Sequence, residues 1–103
     1  MTNTTKAFVP ISNWSFDDRP REKLLQNGLA SLSNSELLAI LINIGSRSKS
    51  ALDLAKDILD LAQNNLIELG KLSVNDLQKI KGIGEAKSTL IAAALEIGKR
   101  REI

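Results

Sequence analysis

Apolar residues along this chain recur every three to four positions, and helix start and stop signals separate the recurring segments. The clearest start is in "SNSELLAILI", where Ser33 and Glu36 have the spacing of a capping box directly before an apolar run. This pattern predicts a helix that reaches about Ile42. The segment "ALDLAKDILDLAQ" follows, with Ser48 or Ser50 as its cap. Its apolar positions form one stripe along a second helix, namely Ala51, Leu54, Ala55, Ile58 and Ala62.

Shorter helical segments lie before and after this pair. "DDRPREKLLQNG" predicts a helix over about 19–27 that is capped by Asp17 or Asp18, buries Leu24 and Leu25 and stops at Gly28. "LIELG" predicts a single turn. Residues 1–16 show no helical period and are expected to form an extended arm, partly disordered, with Trp14 and Phe16 as its anchors on the helical body.

Two more helices are predicted near the end of the chain. Ser73 caps "VNDLQKI", with Asp76 three residues later. After "KGIG", the segment "EAKSTLIAAALEIGKRR" predicts a long helix with basic residues in its last turn, where they complement the helix dipole. The stripe expected to face inward consists of Ala86, Leu90, Ala93, Ala94 and Ile97.

The predicted helices align as two similar units, over residues 33–63 and 73–101. The first helices match at an offset of 40 residues, through Ser33, Leu37 and Ile40 with Ser73, Leu77 and Ile80. The second helices match at an offset of 38, through Lys49, Ser50 and Leu52 with Lys87, Ser88 and Leu90. This alignment predicts a structural repeat whose first hairpin is two residues longer. The expected fold is all-α, with five or six helices in one compact domain over residues 17–103.

Composition supports helices and argues against catalysis. The chain has 103 residues, and its only three aromatic residues lie within the first 16 positions. It contains no Cys and no His, which excludes disulfides, thiolate and imidazole metal sites and the commonest general base. We therefore expect no catalytic residue, metal or cofactor, and interpret Asp53, Asp57 and Asp60 as a solvated helix face. No apolar run approaches the length of a membrane span, so a soluble cytoplasmic protein is expected.

Charge is unevenly distributed along the chain. Residues 1–70 carry seven Lys or Arg and eight Asp or Glu, whereas residues 71–103 carry seven Lys or Arg and four Asp or Glu. The basic excess therefore surrounds the glycine-containing turn "KGIG" and the helix after it. A basic region of this kind favours an anionic partner.

The turn itself has the composition of an anion-binding hairpin. Gly82 and Gly84 permit a tight reversal between two helices, and Ile83 between them is predicted to point into the core. The backbone N–H groups of about residues 82–86 would then face outward at a helix N-terminus, which favours a phosphate. Lys81 and Lys87 flank this position, and Ser88 offers a hydroxyl donor one turn into the helix.

The segment "LQKIKGIGEAKSTLIAAALEIGKR" resembles a helix-hairpin-helix motif, whose glycine turn grips a nucleic-acid backbone without reading bases. That motif often has proline where this chain has Lys81. The first hairpin, "NIGSRSKS", is a degenerate version with a single glycine. Its polar tip, with Gly45, Arg47 and Lys49, could reach a second phosphate or could simply be a solvated loop.

Residues from about 10 to 101 resemble the N-terminal domain of the bacterial RadC family, also called UPF0758. The resemblance implies a helical fold like the second domain of the RuvA proteins. It also implies a longer parent protein, whose C-terminal MPN/JAMM domain carries the His, Asp and Ser residues of a zinc-hydrolase-like site. None of those catalytic residues transfers to this chain. Family members are associated with DNA repair by name.

Two functions remain open. The first is a module that binds the DNA phosphate backbone without sequence specificity. The second is a protein-interaction or dimerisation domain serving the MPN/JAMM domain, with the alanine-rich helix as its contact surface. An exposed positive strip at the hairpins would favour DNA, and an exposed apolar patch would favour protein.

Overall fold

The computed structural model of the chain describes residues 15–102. This part contains six α-helices and no β-strand, as the sequence predicts, and two 3₁₀ turns lie at Phe16–Asp18 and Leu29–Ser31. The helices are α1 (Arg19–Asn27), α2 (Asn34–Ile42), α3 (Ala51–Leu61), α4 (Leu66–Leu69), α5 (Val74–Gln78) and α6 (Glu85–Arg101). None of the described helices is long and apolar enough to cross a lipid bilayer.

Side chains cap four of these helices at their N-termini. The hydroxyls of Ser33 and Ser73 accept the backbone N–H groups of Glu36 and Asp76, whose carboxylates accept in return from Ser33 and Ser73. Both predicted capping boxes are therefore confirmed. Ser50 caps α3 and Asn65 caps α4. Caps of this kind stabilise a helix by about 1 kcal/mol each, and so they set where the chain enters each helix.

The capping box of α2 makes stability depend on pH. Glu36 accepts the Ser33 backbone N–H at 2.8 Å and the Lys23 ammonium at 3.1 Å. The backbone bond from Ser33, followed by the Lys23 contact, holds the pKa of Glu36 below its ordinary value of 4.5, while partial burial opposes this shift. Because the folded pKa is the lower one, the stabilisation is present above the unfolded pKa and is lost as pH falls through the folded pKa.

We expect the wild-type free energy of unfolding to decline as pH falls below about 4.5, and less steeply in Glu36→Gln. Urea unfolding followed by circular dichroism between neutral pH and pH 3 measures this dependence. Glu102→Gln, which removes an exposed carboxylate at the end of α6, is the matched control and should follow the wild type. Equal acid sensitivity in all three proteins would contradict the assignment.

The core is centred on α3. The predicted stripe of α3 is buried at all five positions, and Leu54, Ala55 and Ile58 are completely inaccessible to solvent. The neighbouring elements pack around it with the buried side chains Leu38, Ala39, Ile42, Leu69, Leu77, Ile83 and Ile91. The core is therefore aliphatic in the described part of the chain, as the composition predicts.

The predicted burial of Leu25 is wrong, and Leu24 is only partly buried. Leu25 is 69% exposed, and α1 instead buries Pro20 and Glu22. There the Glu22 carboxylate accepts the side-chain amide of Gln26 at 2.9 Å. Two adjacent leucines in a polar helix do not define a face, so the sequence pattern could not orient α1. Trp14 lies outside the described residues, and Phe16 is half-exposed beneath the Arg19 guanidinium.

The predicted inward stripe of α6 is also wrong. Leu90 is 50% exposed and Ile97 is 66% exposed, whereas Ser88 and Ile91 are fully buried. Ala86 and Ala93 are exposed as well, and Ala94 is only partly covered. The helix is apolar on two opposite faces, so its periodicity could not identify the face that packs against the core.

The predicted register of the repeat holds for the first helices and fails for the second. The first helices, α2 and α5, begin 40 residues apart. The second helices, α3 and α6, begin at Ala51 and Glu85, which are 34 residues apart rather than 38. Lys49 and Ser50 therefore precede α3, whereas Lys87 and Ser88 lie within the first turn of α6. This difference arises because α5 is shorter than α2, and because the turn after α5 is shorter than the first hairpin.

Candidate nucleic-acid interface

The second hairpin, residues 79–84, connects α5 to α6. Its backbone packs closely against the core. Gly82 has φ of 101°, a conformation that favours glycine. A Cβ at this position would lie 2.9 Å from Cδ2 of Leu54 and 3.2 Å from Cβ of Ser46. Ile83 is buried, as predicted, and its N–H donates to the Ile80 carbonyl at 3.0 Å. Gly82 is therefore required both for the reversal and for the contact with the first hairpin.

The N-terminus of α6 lacks a side-chain cap. Gly84 occupies the N-cap position with extended backbone, and within residues 15–102 no side chain accepts from the first turn. The helices α2 to α5 differ, because each has a Ser or Asn cap. The first N–H groups of a helix have no partner inside it, and the helix dipole makes their surroundings attractive to an anion.

The predicted cations of this hairpin lie beside the uncapped turn. Lys81 is exposed and Lys87 is half-buried, and neither forms an ion pair with a residue of the described chain. Glu85 is exposed in the first turn, where a carboxylate complements the helix dipole.

The Ser88 side chain is buried between two helices and is not exposed at the surface. It is fully buried, its hydroxyl donates to the Glu85 carbonyl at 3.0 Å, and it accepts the side-chain amide of Gln78 at 3.0 Å. The hydroxyl therefore joins α5 to α6, and it is withdrawn from the surface where the sequence analysis expected it to meet a phosphate.

In the first hairpin, residues 43–50, backbone N–H groups are already bonded to a carboxylate of the same chain. The Asp17 carboxylate accepts the backbone N–H of Gly45 at 2.9 Å and that of Ala51 at 2.6 Å. Lys49 is paired with Asp57, and this hydrogen bond raises the pKa of the lysine. The Gly45 amide and the Lys49 ammonium are thus engaged internally. Arg47 remains exposed at the tip, with no ion pair in the described part of the chain.

The tertiary structure brings the two hairpins into contact. The Ser46 side chain would meet a Cβ at Gly82, and Arg47 and Lys81 are the sequence neighbours of these two residues. We call the side chains of Arg47, Lys81 and Lys87, together with the uncapped turn of α6, the hairpin surface. It presents three cations and free backbone donors, which is the chemistry that binds a phosphate diester.

Sequence reasoning missed the residues that support this surface from a distance. Asp17 or Asp18 was expected to cap α1, but the Asp18 side chain at the N-cap position makes no capping bond, and Asp17 binds amides 28 and 34 residues further along the chain. Asp57 and Gln78, which engage Lys49 and Ser88, were not singled out for these contacts. No local pattern indicates such long-range hydrogen bonds. Within residues 15–102, no three Asp or Glu side chains lie close enough together to hold a metal ion.

Comparisons with known proteins agree on the family of this domain. A family model described as UPF0758 N-terminal matches residues 11–89. A UPF0758 protein of Flavobacterium johnsoniae is 55% identical over 91 residues, which cover 88% of this chain and 39% of the relative. A UPF0758 protein of Staphylococcus aureus is 52% identical over 92 residues, covering 89% of this chain and 40% of the relative. The chain thus spans about two fifths of these relatives. No solved structure matches it.

Proposed function

The chain belongs to the UPF0758 family, and we propose that its domain binds the phosphate backbone of DNA through the hairpin surface. One observation carries this proposal: the uncapped N-terminus of α6 follows directly on a hairpin that contains the exposed Lys81 and contacts Ser46, the neighbour of the exposed Arg47. Backbone amides and a few cations position a phosphate without reading bases, so we expect no sequence specificity. A binding role fits the residues better than catalysis, because no His or Cys is present.

The hairpin surface is small, and this limits the affinity. Three cations and one helix turn can reach only a few phosphates, so the dissociation constant should lie in the non-specific range of roughly 10⁻⁴ to 10⁻⁶ M. Phe16 is the one aromatic residue in the described part of the chain, and the Arg19 guanidinium lies over one face of its half-exposed ring. Base stacking, on which dedicated single-strand binders rely, is therefore not supported.

In the longer relatives, the same surface would deliver the rest of the protein to DNA in the cytoplasm. The resemblance to the RadC family implies that this remaining part is an MPN/JAMM domain with zinc-hydrolase-like chemistry. The role that we propose for the present domain is DNA contact in support of that second domain, in line with the association of the family with repair.

The decisive experiment places a cap on α6. Gly84 has extended backbone, and a Cβ there would meet no atom within 4 Å, so Gly84→Asp and Gly84→Asn should fold normally. Their side chains should accept the free N–H groups, as Ser33 and Ser73 do in α2 and α5. We expect the melting temperature to stay the same or rise slightly, while affinity for DNA falls about tenfold, or about 1.4 kcal/mol.

Fluorescence anisotropy with labelled duplex, single-stranded and forked DNA across a salt series measures this effect. Lys81→Glu/Lys87→Glu should weaken binding further and lower the salt slope by about 0.9 for each phosphate that the protein no longer neutralises. Lys71→Glu/Lys99→Glu makes the same charge change at the far end of α6, and should retain most of the affinity. The proposal fails if the folded wild type does not bind at low salt, or if the hairpin variants bind as tightly as this control.

A further inference from the structure

A small groove lies where α1, α2 and the start of α3 meet. It encloses about 260 Å³, and its walls are Phe16, Arg19, Pro20, Lys23, Glu36 and Leu52. We call it the α1–α3 groove. Sites for small molecules usually enclose about 300–1,000 Å³, so this groove has room for little more than one large side chain. Phe16 in its wall is 51% exposed, and Leu52 is only partly buried against the core.

The chain enters the described structure at the edge of this groove. Phe16 is two residues after Trp14, so the Cα atoms of these two residues are at most about 7 Å apart. Ser15 between them has extended backbone, with φ of −59° and ψ of 153°. The next residue after Phe16, Asp17, is bound to the start of α3 through the Ala51 N–H. Covalent geometry therefore keeps Trp14 within reach of the α1–α3 groove.

We propose that the indole of Trp14 fills the α1–α3 groove and fastens the start of the chain to the domain. The UPF0758 N-terminal model matches from residue 11 onwards, so Trp14 lies within the family domain. This inference is independent of DNA binding, because no residue of the groove belongs to the hairpin surface.

The chemistry of the walls suits an indole. They combine three apolar side chains with three charged ones, namely Phe16, Pro20 and Leu52 with Arg19, Lys23 and Glu36. An indole has a large apolar ring, whose face attracts cations, and an N–H group that a carboxylate can accept. Lys23 and Glu36 already form an ion pair at 3.1 Å, so the indole would cover no unpaired charge there. An aliphatic side chain such as Ile11 would cover the same charged walls with no polar contact in return.

Trp14 is the only tryptophan of the chain, so tryptophan fluorescence and the indole NMR signals report on this position alone. In the folded wild type we expect emission at a shorter wavelength than in urea, and acrylamide quenching that is several-fold weaker. NOE cross-peaks should join the indole protons to the methyl groups of Leu52 and to the ring of Pro20. An indole as accessible as in the unfolded chain, or NOE contacts only with residues outside the groove, would overturn the proposal.

Leu52→Ala tests the groove from its wall. This variant should shift the emission of Trp14 to a longer wavelength and increase its quenching, while circular dichroism shows an unchanged fold. Leu95→Ala is the matched control, because Leu95 is likewise partly buried against the core but lines a different groove beside α4. Its Trp14 emission should equal that of the wild type. Equal responses of the two variants would contradict an indole seated on Leu52.

Trp14→Ala should lower the melting temperature by about 5–15 °C, as expected when a partly buried aromatic side chain is lost. In this background Leu52→Ala should lower it less than in the wild type, because the contact is already absent, whereas Leu95→Ala should lower it equally in both. Trp14 emission that changes with protein concentration would place the indole in the groove of a second copy and would overturn docking within the chain. These outcomes are separate from the DNA titrations, which can fail while Trp14 remains docked.

Discussion

Gly45→Ala is expected to destabilise the domain by roughly 3 kcal/mol or more, the upper range for overpacking a close-packed site. A Cβ at position 45 would overlap the carbonyl oxygen of Lys49 and lie 2.6 Å and 2.7 Å from the carbonyl carbon and Cα of Ser50. All three atoms belong to the backbone immediately before α3. The first hairpin would have to open, and this would also displace the Gly45 N–H from Asp17.

Gly98→Ala is the matched control for this substitution. Gly98 lies inside α6, and an added Cβ would meet no atom within 4 Å, so alanine should stabilise the helix by about 0.5–1 kcal/mol. Urea and thermal unfolding followed by circular dichroism would show opposite shifts for the two variants. A Gly45→Ala protein as stable as the wild type would mean that the hairpin is not packed as described.

Asp17→Asn is expected to have the second largest effect, a loss of about 2–4 kcal/mol, because a hydrogen bond to a charged group contributes roughly 1.5–3 kcal/mol. The carboxylate accepts the N–H groups of Gly45 and Ala51, and an asparagine would turn its own NH₂ group towards one of these donors. For a domain of this size, such a loss lowers the melting temperature by about 10–20 °C.

Asp18→Asn makes the same substitution at the neighbouring carboxylate and is the control for Asp17→Asn. Asp18 accepts from Ser15 and Arg21 in exposed contacts, which stabilise a protein by less than about 1 kcal/mol. The melting temperature of this control should change by only a few degrees. Equal losses in the two variants would show that Asp17 does not tie the start of α1 to the first hairpin.

The surface of α6 carries the signatures of both functions that the sequence left open. Its N-terminal turn contains cations and uncapped amides, whereas Leu90 and Ile97 further along the helix are exposed apolar side chains.

The sequence by itself determined the local structure of this protein. Ser33 with Glu36 and Ser73 with Asp76 were readable as capping boxes, because each pair satisfies backbone groups only three residues away. The stripe on α3 was readable because α3 is apolar on one face only, which leaves a single way to bury it. The all-α fold and the UPF0758 family follow from patterns of the same short range.

Only the tertiary structure decided which face of α6 is buried and which hairpin keeps its amides free. The periodicity of α6 does not distinguish its two apolar faces. In the structure, the buried face is fixed by the close contact of Gly82 with Leu54 and by the Gln78–Ser88 hydrogen bond. Asp17 fills the first hairpin from 28 residues away, whereas no described side chain fills the second. Helix propensity and capping act within one or two turns, but these contacts join segments that only folding brings together.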